Sequence, residues 1–358
     1  MDTLLSGKVP WKLLTELLGK MGSSSNKGIM QPAEPGIDVA VLALQEVFDQ
    51  VNAIYETKSV PYLVYKADPI TFPTPDPSKY LITVNMNDLA TAGAIPYGIT
   101  VTILLPPGTK KSVLRKIQSR LSEVCIENNI TILGGHTEIT NGVSYPLLSA
   151  SMIGFVPPEY YIPRKPRIGD AIVCSGWVAA EGTGILLAEG GKLWRDLGLT
   201  RSEYDQGETI GQNLAITSRI LKCNKIHHES LHLVHDATEA GILGALYECL
   251  APKGVGCEIE SKMIPLAPVT KKISDILSID PYNLISSGAV LLVCDPDNAR
   301  EILSTLRHND QPAEVIGYIT EKKQSFTIEG RLISPPSADH IIQGLEQLGK
   351  LRNSTSTV

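Results

Sequence analysis

Four prolines fall within the ten residues 157–166, at Pro157, Pro158, Pro163 and Pro166. Each removes a backbone donor and fixes its own φ, so neither a helix nor a sheet ladder can run through the stretch. The chain is therefore expected to divide there. On both sides, apolar runs of extended character alternate with segments of helical period, the signature of an α/β or α+β architecture. With 358 residues there is room for two cores, and 43% hydrophobic against 20% charged residues is ordinary globular composition rather than that of a disordered chain.

The expected organisation is an N-terminal helix and flexible loop over residues 1–35, a first domain over 36–157, a second over 158–340, and a helix end and tail over 341–358. Leu13, Leu14, Leu17 and Leu18 share one face of the opening helix. Residues 19–36, rich in Gly, Ser and Pro, read as a connector; residues 22–28 resemble a phosphate loop only superficially, because the Gly, Lys, Ser/Thr order is absent. The first domain reads as strand, strand, short helix, strand, helix, strand, strand, a pattern that fits a ferredoxin-like layer. Its clearest portions are a strand over 99–105, a helix over 110–128 and a strand over 130–133. In the second half we expect strands over 171–174, 231–234, 256–259 and 289–294. Helices are expected over 210–222, from Asp236, and over 299–307. Gly182, Thr183 and Gly184 lack the third glycine of a dinucleotide fingerprint, which argues against a dehydrogenase.

Lys plus Arg number 32 against 38 Asp plus Glu, a net charge of −6 that advertises no nucleic-acid surface. No apolar run approaches the length of a membrane span, and residues 11–18 are broken by Lys12 and Glu16, unlike a signal peptide. A cytoplasmic protein acting on small molecules is the resulting expectation. The six cysteines form no CxxC pair and read as reduced, mostly buried thiols rather than zinc ligands.

Acidic residues recur where hydrophobic runs end: Asp68 before Pro69, Asp88 after Asn85, Met86 and Asn87, Glu138 after Gly134, Gly135, His136 and Thr137, and Asp236 after His235. Carboxylates delivered repeatedly from strand ends suit a hard cation such as Mg²⁺ bridging nucleotide phosphates. Each also has a structural reading. Asp236 with Glu239 three residues on has the spacing of a capping box, Asn87 and Asp88 are placed to cap a helix over 89–94, and Asp68 before Pro69 is a turn former. The Gly134–Gly135 pair is either a simple turn or a place where backbone approaches phosphate closely. His227, His228 and His232 read as an exposed polar loop, whereas His235 either faces the same site as Asp236 or packs beneath it.

Taken together, these segments resemble the PurM/AIR synthase superfamily of aminoimidazole ribonucleotide synthase, thiamine-monophosphate kinase, selenophosphate synthetase and the hydrogenase-maturation protein HypE, with the HypE-like, AIR synthase-related branch nearest. Carrying the resemblance are Gly7, Lys8, Val9 and Pro10; residues 67–71; residues 84–96, reading VNMNDLATAGAIP; residues 134–138, reading GGHTE; residues 236–241; and Ser286, Ser287 and Gly288. The resemblance spans roughly residues 7–335. It implies a PurM-like fold with a ferredoxin-like, dimerising N-terminal domain and a C-terminal α/β domain, with ATP and Mg²⁺ bound. By the same resemblance Asp68, Asp88 and Asp236, with Asp38 as a fourth candidate, hold the metal. Asn85, Asn87, Gly134, Gly135, Thr137 and Glu138 line the nucleotide site, and Asp68, Asp88, Asp236 and His136 carry the catalysis.

The implied function is ATP- and Mg²⁺-dependent activation of a small oxygen-bearing substrate (acyl, amide or phosphate) by phosphoryl transfer. The alternative is a nucleotide-binding maturation or regulatory partner with little or no turnover. Three departures from the family pattern bear on this. Asp38 stands alone where relatives have paired aspartates, His136 replaces a carboxylate, and Ala240 stands where relatives tend to have glycine. Residues 351–358 carry no cysteine of the kind on which HypE holds its carbamoyl group, and none precedes Cys125, as the selenium branch would require. A homodimer is implied, with Val101, Ile103 and Leu105 read as an edge compatible with sheet pairing between subunits.

Overall fold

The computed structural model describes residues 2–355 apart from 23, 35, 72, 73, 75, 308–310, 322–324, 334, 336 and 337. The chain forms two compact units that meet in sequence between Tyr161 and Ile162. The elements of the first are β1 (Gly7–Lys8), α1 (Trp11–Gly19), β2 (Ile29–Gln31), β3 (Val41–Leu42), α2 (Leu44–Tyr55), β4 (Tyr62–Ile70), α3 (Pro77–Thr91), β5 (Ile95–Leu105), α4 (Lys111–Glu127), β6 (Thr131–Ile139) and β7 (Leu147–Val156). Five strands make one sheet in the order β1-β6-β5-β7-β4, with β2 and β3 a separate ribbon. Strands β5 and β6 run parallel around α4, and β7 lies antiparallel between β5 and β4.

Alternation along β5 sends Ile99, Val101, Ile103 and Leu105 to one face, where all are buried with Leu81, Ile82 and Leu89 of α3 and Leu114, Leu121 and Val124 of α4. Val101, Ile103 and Leu105 thus belong to an interior strand, and the expected edge lies instead on β4, which pairs with β7 alone. Strand β4 runs through Pro69, a residue that can sit in a ladder only at such an edge. Helix α3 starts at Asp76, whose carboxylate accepts the Lys79 N–H at 3.1 Å and pairs with Arg120 of α4 at 2.7 Å. The sequence placed this helix from about residue 89; it begins twelve residues earlier, at Pro77. Helix α2 was not expected. The connector over 19–36 includes β2 and is anchored: Asn26 Nδ2 donates to the carbonyls of Tyr97 at 2.7 Å and Asn129 at 2.9 Å. Ser23 and Pro35 of that segment lie outside the described residues.

The second unit contains β8 (Ala171–Ser175), α5 (Ala180–Gly190), α6 (Leu193–Asp196), α7 (Arg201–Gln212), α8 (Thr217–His227), β9 (Leu231–Ala237), α9 (Gly241–Leu250), β10 (Gly256–Ile259), α10 (Pro268–Leu277), β11 (Ala289–Cys294), α11 (Ala299–Leu306), β12 (Ala313–Thr320), β13 (Phe326–Ile328), β14 (Arg331–Leu332) and α12 (His340–Thr355). Its seven-stranded sheet has the order β14-β13-β10-β12-β8-β11-β9. Strands β8 and β11 are buried along their whole length, as their unbroken apolar runs require. The expected helix over 210–222 is two helices, α7 and α8, separated at 213–216. Gly182 and Gly184, the incomplete dinucleotide signature, serve packing. A Cβ on Gly184 would approach the Gly211 Cα of α7 to 3.0 Å, and one on Gly182 would meet Leu284 at 2.4 Å. Within the tail assigned to 341–358, residues 356–358 lie outside the described residues. No helix among the described residues is long and apolar enough to cross a membrane.

Candidate functional site

Residues 84–96 form the last two turns of α3 and the entry to β5. Asp88 therefore sits near a helix C-terminus, not at the helix start that the capping reading needs; there the helix dipole opposes its charge. Its compensation comes from β4. The two-residue repeat of that strand places Lys66 and Asp68 on the same face as the partly buried Val64 and Ile70, the face that packs on α3. Lys66 Nζ lies 3.0 Å from Asp68 Oδ2 and 3.3 Å from Asp88 Oδ2, with the three side chains between 22% and 35% exposed. Burial opposes the Lys66 charge, yet the Asp88 and Asp68 carboxylates hold the ammonium above its ordinary pKa. Asn85, one turn before Asp88 and on the same helix face, is fully buried. Its Nδ2 donates to the Leu81 carbonyl at 2.8 Å, and its Oδ1 has no partner among the described residues. Asn87 is also buried, but two positions from Asn85 it points elsewhere around the helix.

Gly134, Gly135, His136, Thr137 and Glu138 are strand rather than loop, forming the centre of β6. A cavity of about 450 Å³ adjoins them, with Gly134, Gly135, His136 and Thr137 on one wall, Trp11, Leu14 and Leu18 of α1 on another, and Lys8 and Asp38 at its polar side. His136 Nε2 lies 3.5 Å from Glu138 Oε2. Only one of the two glycines is sterically obligatory. A Cβ on Gly135 would fall 2.0 Å from the Val101 carbonyl oxygen, whereas one on Gly134 meets nothing within 4 Å.

The structure thus gathers the expected residues into two groups within the first unit. Asp68, Val101 and Gly135 lie on one transverse row of the sheet, since Asp68 faces Ala150, Ala150 faces Val101 and Val101 faces Gly135. Three strand spacings separate the ends of that row, about 14 Å. Asp38, beside the Gly135 end, therefore shares no ion with Asp68 and Asp88 in this arrangement. Among the described residues no three His, Cys, Asp or Glu side chains form a ready cage for a metal. The Asp68–Asp88 pair nevertheless fits Mg²⁺. Two carboxylates already converge on one cation, the Lys66 ammonium, and Mg²⁺ commonly takes one or two carboxylates and completes its shell with phosphate and water.

Asp236 belongs to the second unit, buried near the end of β9 opposite Val290. The expected capping box is absent. Helix α9 starts after Ala240, in the left-handed conformation (φ 59°), with no side-chain cap. Instead Asp339 accepts the Ala240 N–H at 2.7 Å and the Ile285 N–H at 3.2 Å. Helix α5 begins in the same manner after Ala179, also at φ 59°, its N–H donating to Ser286 Oγ at 2.8 Å. Next to it is Glu181, 5% exposed, with Oε2 lacking a partner among the described residues. Burial pushes its carboxyl up to about 7, the Ser287 hydrogen bonds pull the other way, and the Asp339 and Glu239 charges add to the rise. His235 is held by Arg164 at 3.2 Å and Glu248 at 3.3 Å, on the opposite side of β9 from Asp236. His232, read as part of an exposed loop, is buried and bonded to Asp170 at 2.8 Å.

Sequence reasoning missed Lys66, Glu181 and Asp339 as members of these clusters. The signal for Lys66 was available: continuing the strand through Pro69 places it on the same face as Asp68. Nothing local marks Asp339, which lies 99 residues from the Ala240 amide it binds.

The two units, each a sheet packed with helices, correspond to the two domains of the AIR synthase class. The family's models match accordingly: AIR synthase related protein, N-terminal domain, over residues 52–156, and AIR synthase related protein, C-terminal domain, over 167–329. The chain belongs to the AIR synthase related family. It is 26% identical over 309 residues to a Methanocaldococcus jannaschii protein named for hydrogenase expression/formation, covering 84% of this chain and 89% of that one. To the carbamoyl dehydratase HypE of Escherichia coli it is 24% identical over 264 residues, 72% of this chain and 75% of that one. The solved structure of E. coli HypE superposes with a TM-score of 0.73 at 23% identity, covering 91% and 96% of the two chains. A thiamine-monophosphate kinase from Stenotrophomonas maltophilia follows at 0.66 and 18%, covering 90% and 96%.

Two predictions follow from this geometry. Gly135→Ala should lower stability by roughly 1–3 kcal/mol through collision with β5, while Gly134→Ala melts like the parent; equal midpoints in thermal denaturation would refute the assignment. The second concerns Glu181. The folded chain holds its proton up to about pH 7, whereas an unfolded glutamate releases it near 4.5. Stability from this group is therefore full below pH 4.5 and is lost as pH rises through 7, by roughly 3 kcal/mol at most. Glu181→Gln should flatten that decline in urea titrations between pH 5 and 8, and parallel losses in both chains would show that Glu181 is not its source.

Proposed function

We propose that the chain binds ATP with Mg²⁺ and activates a small oxygen-bearing substrate by phosphoryl transfer. The observation that carries this reading is the Asp68–Lys66–Asp88 cluster, where one cation and two carboxylates converge, with the β6 cavity at the far end of the same sheet row. Phosphoryl transfer asks a protein mainly for positioning and charge neutralisation, and these residues supply both. Asp68 and Asp88 are the metal-holding pair in this reading, and bound Mg²⁺ would neutralise phosphate charge there. Asn85 offers its unpartnered Oδ1 beside them. The cavity on β6 takes the nucleoside, with Trp11 and the leucines of α1 against the base and Asp38 and Thr137 at its polar side. Gly134, with open space where a side chain would project, keeps that wall clear. His136 lines the cavity with Glu138 3.5 Å from it, and Asp236 is kept as a metal and catalytic candidate of the second unit.

Support also comes from relatives. One HypE structure was solved in complex with ATP, and a thiamine-monophosphate kinase with AMPPCP and TMP. Carbamoyl dehydration, the activity named for the E. coli relative, removes the elements of water from an amide, and phosphorylating the amide oxygen would make it a leaving group. Here the substrate arrives as a separate molecule in our reading. All six cysteines are buried, and burial pushes their thiols well above the usual range. Those free thiols suit the reducing cytoplasm. A second reading, a nucleotide-binding maturation partner with little turnover, draws on the solved HypE–HypF complex.

Calorimetry with ATP, with and without Mg²⁺, followed by phosphate release on pooled metabolites, separates the two: stimulated release supports the enzyme, and tight binding without release supports the partner. Asp88→Asn should keep the fold and weaken Mg²⁺-dependent ATP binding about tenfold or more, the scale of one charge-assisted contact; parental affinity in the variant would remove Asp88 from the site. A homodimer belongs to the same reading. Leu63 and Tyr65, 61% and 64% exposed on the side of β4 away from α3 and α4, form an apolar strip for a second copy at the edge of the face on which α2 packs. Light scattering should report a dimer that Tyr65→Lys converts to monomer, and a monomeric parent would end that part of the proposal.

A further inference from the structure

Lys66 occupies the position between Asp68 and Asp88 that a divalent ion would take. Its Nζ is 3.0 Å from one carboxylate and 3.3 Å from the other. Mg²⁺ binds carboxylate oxygens at about 2.0–2.1 Å, so an ion gripping both oxygens leaves no room for the ammonium between them. Charge gives the same answer. The two carboxylates alone carry −2, enough to attract a divalent cation, but with Lys66 the cluster carries only −1. At about one-third exposure, Lys66 and Asp68 are open enough for a polyphosphate to reach them.

We propose that Lys66 is a built-in counter-ion that closes the Asp68–Asp88 pair to free metal and opens it only when a nucleotide arrives. Its ammonium then transfers from the carboxylates to the phosphate oxygens as Mg²⁺ enters. A lysine is suited to this exchange, being a compact point charge on a flexible stem that pairs with carboxylate and with phosphate. The buried Asn85 Oδ1, lacking a partner among the described residues, lies one turn before Asp88 on the same helix face. Lys66 is thereby a positioning residue that imposes an order, nucleotide with metal rather than metal first. The hand-over to phosphate rests on the ATP reading above.

The test is binding of Mn²⁺, a probe for the Mg²⁺ position, by calorimetry and electron paramagnetic resonance on the full chain. The parent should bind Mn²⁺ alone at least tenfold more weakly than Lys66→Met does. The double variant Lys66→Met/Asp88→Asn should lose the gained site. Metal-free ATP affinity should fall about tenfold in Lys66→Met and recover in Lys66→Arg, which retains the charge. The double variant separates a gain at this pair from metal taken up elsewhere by a disturbed chain. Equal Mn²⁺ affinity in parent and Lys66→Met, or a gained site that survives the Asp88 substitution, overturns the counter-ion. Loss of the metal-free ATP effect with the Mn²⁺ gain intact overturns the hand-over alone. A parent that binds no Mg·ATP defeats the functional reading instead, and the Mn²⁺ comparison still decides the counter-ion.

Discussion

An aspartate in the last turn of a helix is held against the helix dipole, and in this chain the Lys66 ammonium makes that placement tenable. The first unit depends on the arrangement. Helix α3 is buried around much of its circumference, with Ser78, Leu81, Ile82, Asn85, Leu89 and Ala90 all out of solvent, so its rotation is fixed by packing. With that rotation set, Asp88 has one direction in which to point, toward β4. The strand must then present a cation there, and it does so at Lys66 while directing Leu63 and Tyr65 to the other face. One alternation along β4 thus separates a charged cluster on the α3 side from an exposed apolar strip on the side where α2 packs.

The parts of the fold legible in the sequence were those with one dominant period. Strand β5, helix α4, strand β10 and strand β11 each carry an unambiguous pattern, and all four lie within a few residues of where the pattern puts them. The site residues were legible as chemistry but not as geometry. Pro69 reads as the end of a strand, because proline ends most strands; only knowing that β4 is an edge makes Tyr62–Ile70 continuous. Glycines 134 and 135 read either as a turn or as a place of close backbone approach, yet both pair with β5 as part of β6, and the backbone of β5 passes too close to Gly135 for any side chain there. Helix α3 was hidden since a helix buried on most sides has little amphipathic signal, so its polar end, with Asn85, Asn87 and Asp88, suggested a start instead of a finish.

In the second unit the two helix starts α5 and α9 share a device that no local motif announces. Each begins after a left-handed alanine without a side-chain cap, and each is served by the segment 284–288 or by Asp339 across a long stretch of chain. Alanine is the smallest residue with a Cβ, and a left-handed alanine is tolerated only where its surroundings over-determine it. Here the over-determination is visible: Ser286 Oγ holds the Ala179 amide and Asp339 holds the Ala240 amide. The cost falls on Glu181, whose burial, with the charges of Asp339 and Glu239 adding to it, pushes its carboxyl up to about 7.

The separation of the two groups in the first unit constrains what they can do together. At about 14 Å, three strand spacings, Asp68 and Gly135 are too far apart to touch one ion or one phosphate. The buried row between them, Ala150 and Val101, is apolar and closed by α3 and α4, so nothing passes beneath the helices from one to the other. A single ligand serving both must therefore be long and must run past the ends of the helices, with an apolar end suited to the Trp11 wall and an anionic end suited to Lys66. A nucleoside triphosphate has that polarity, base at one end and charge at the other, whereas a small acid or a sugar lacks either the length or the apolar end. Shape and charge along one row of the sheet thus match the nucleotide of the proposed reading.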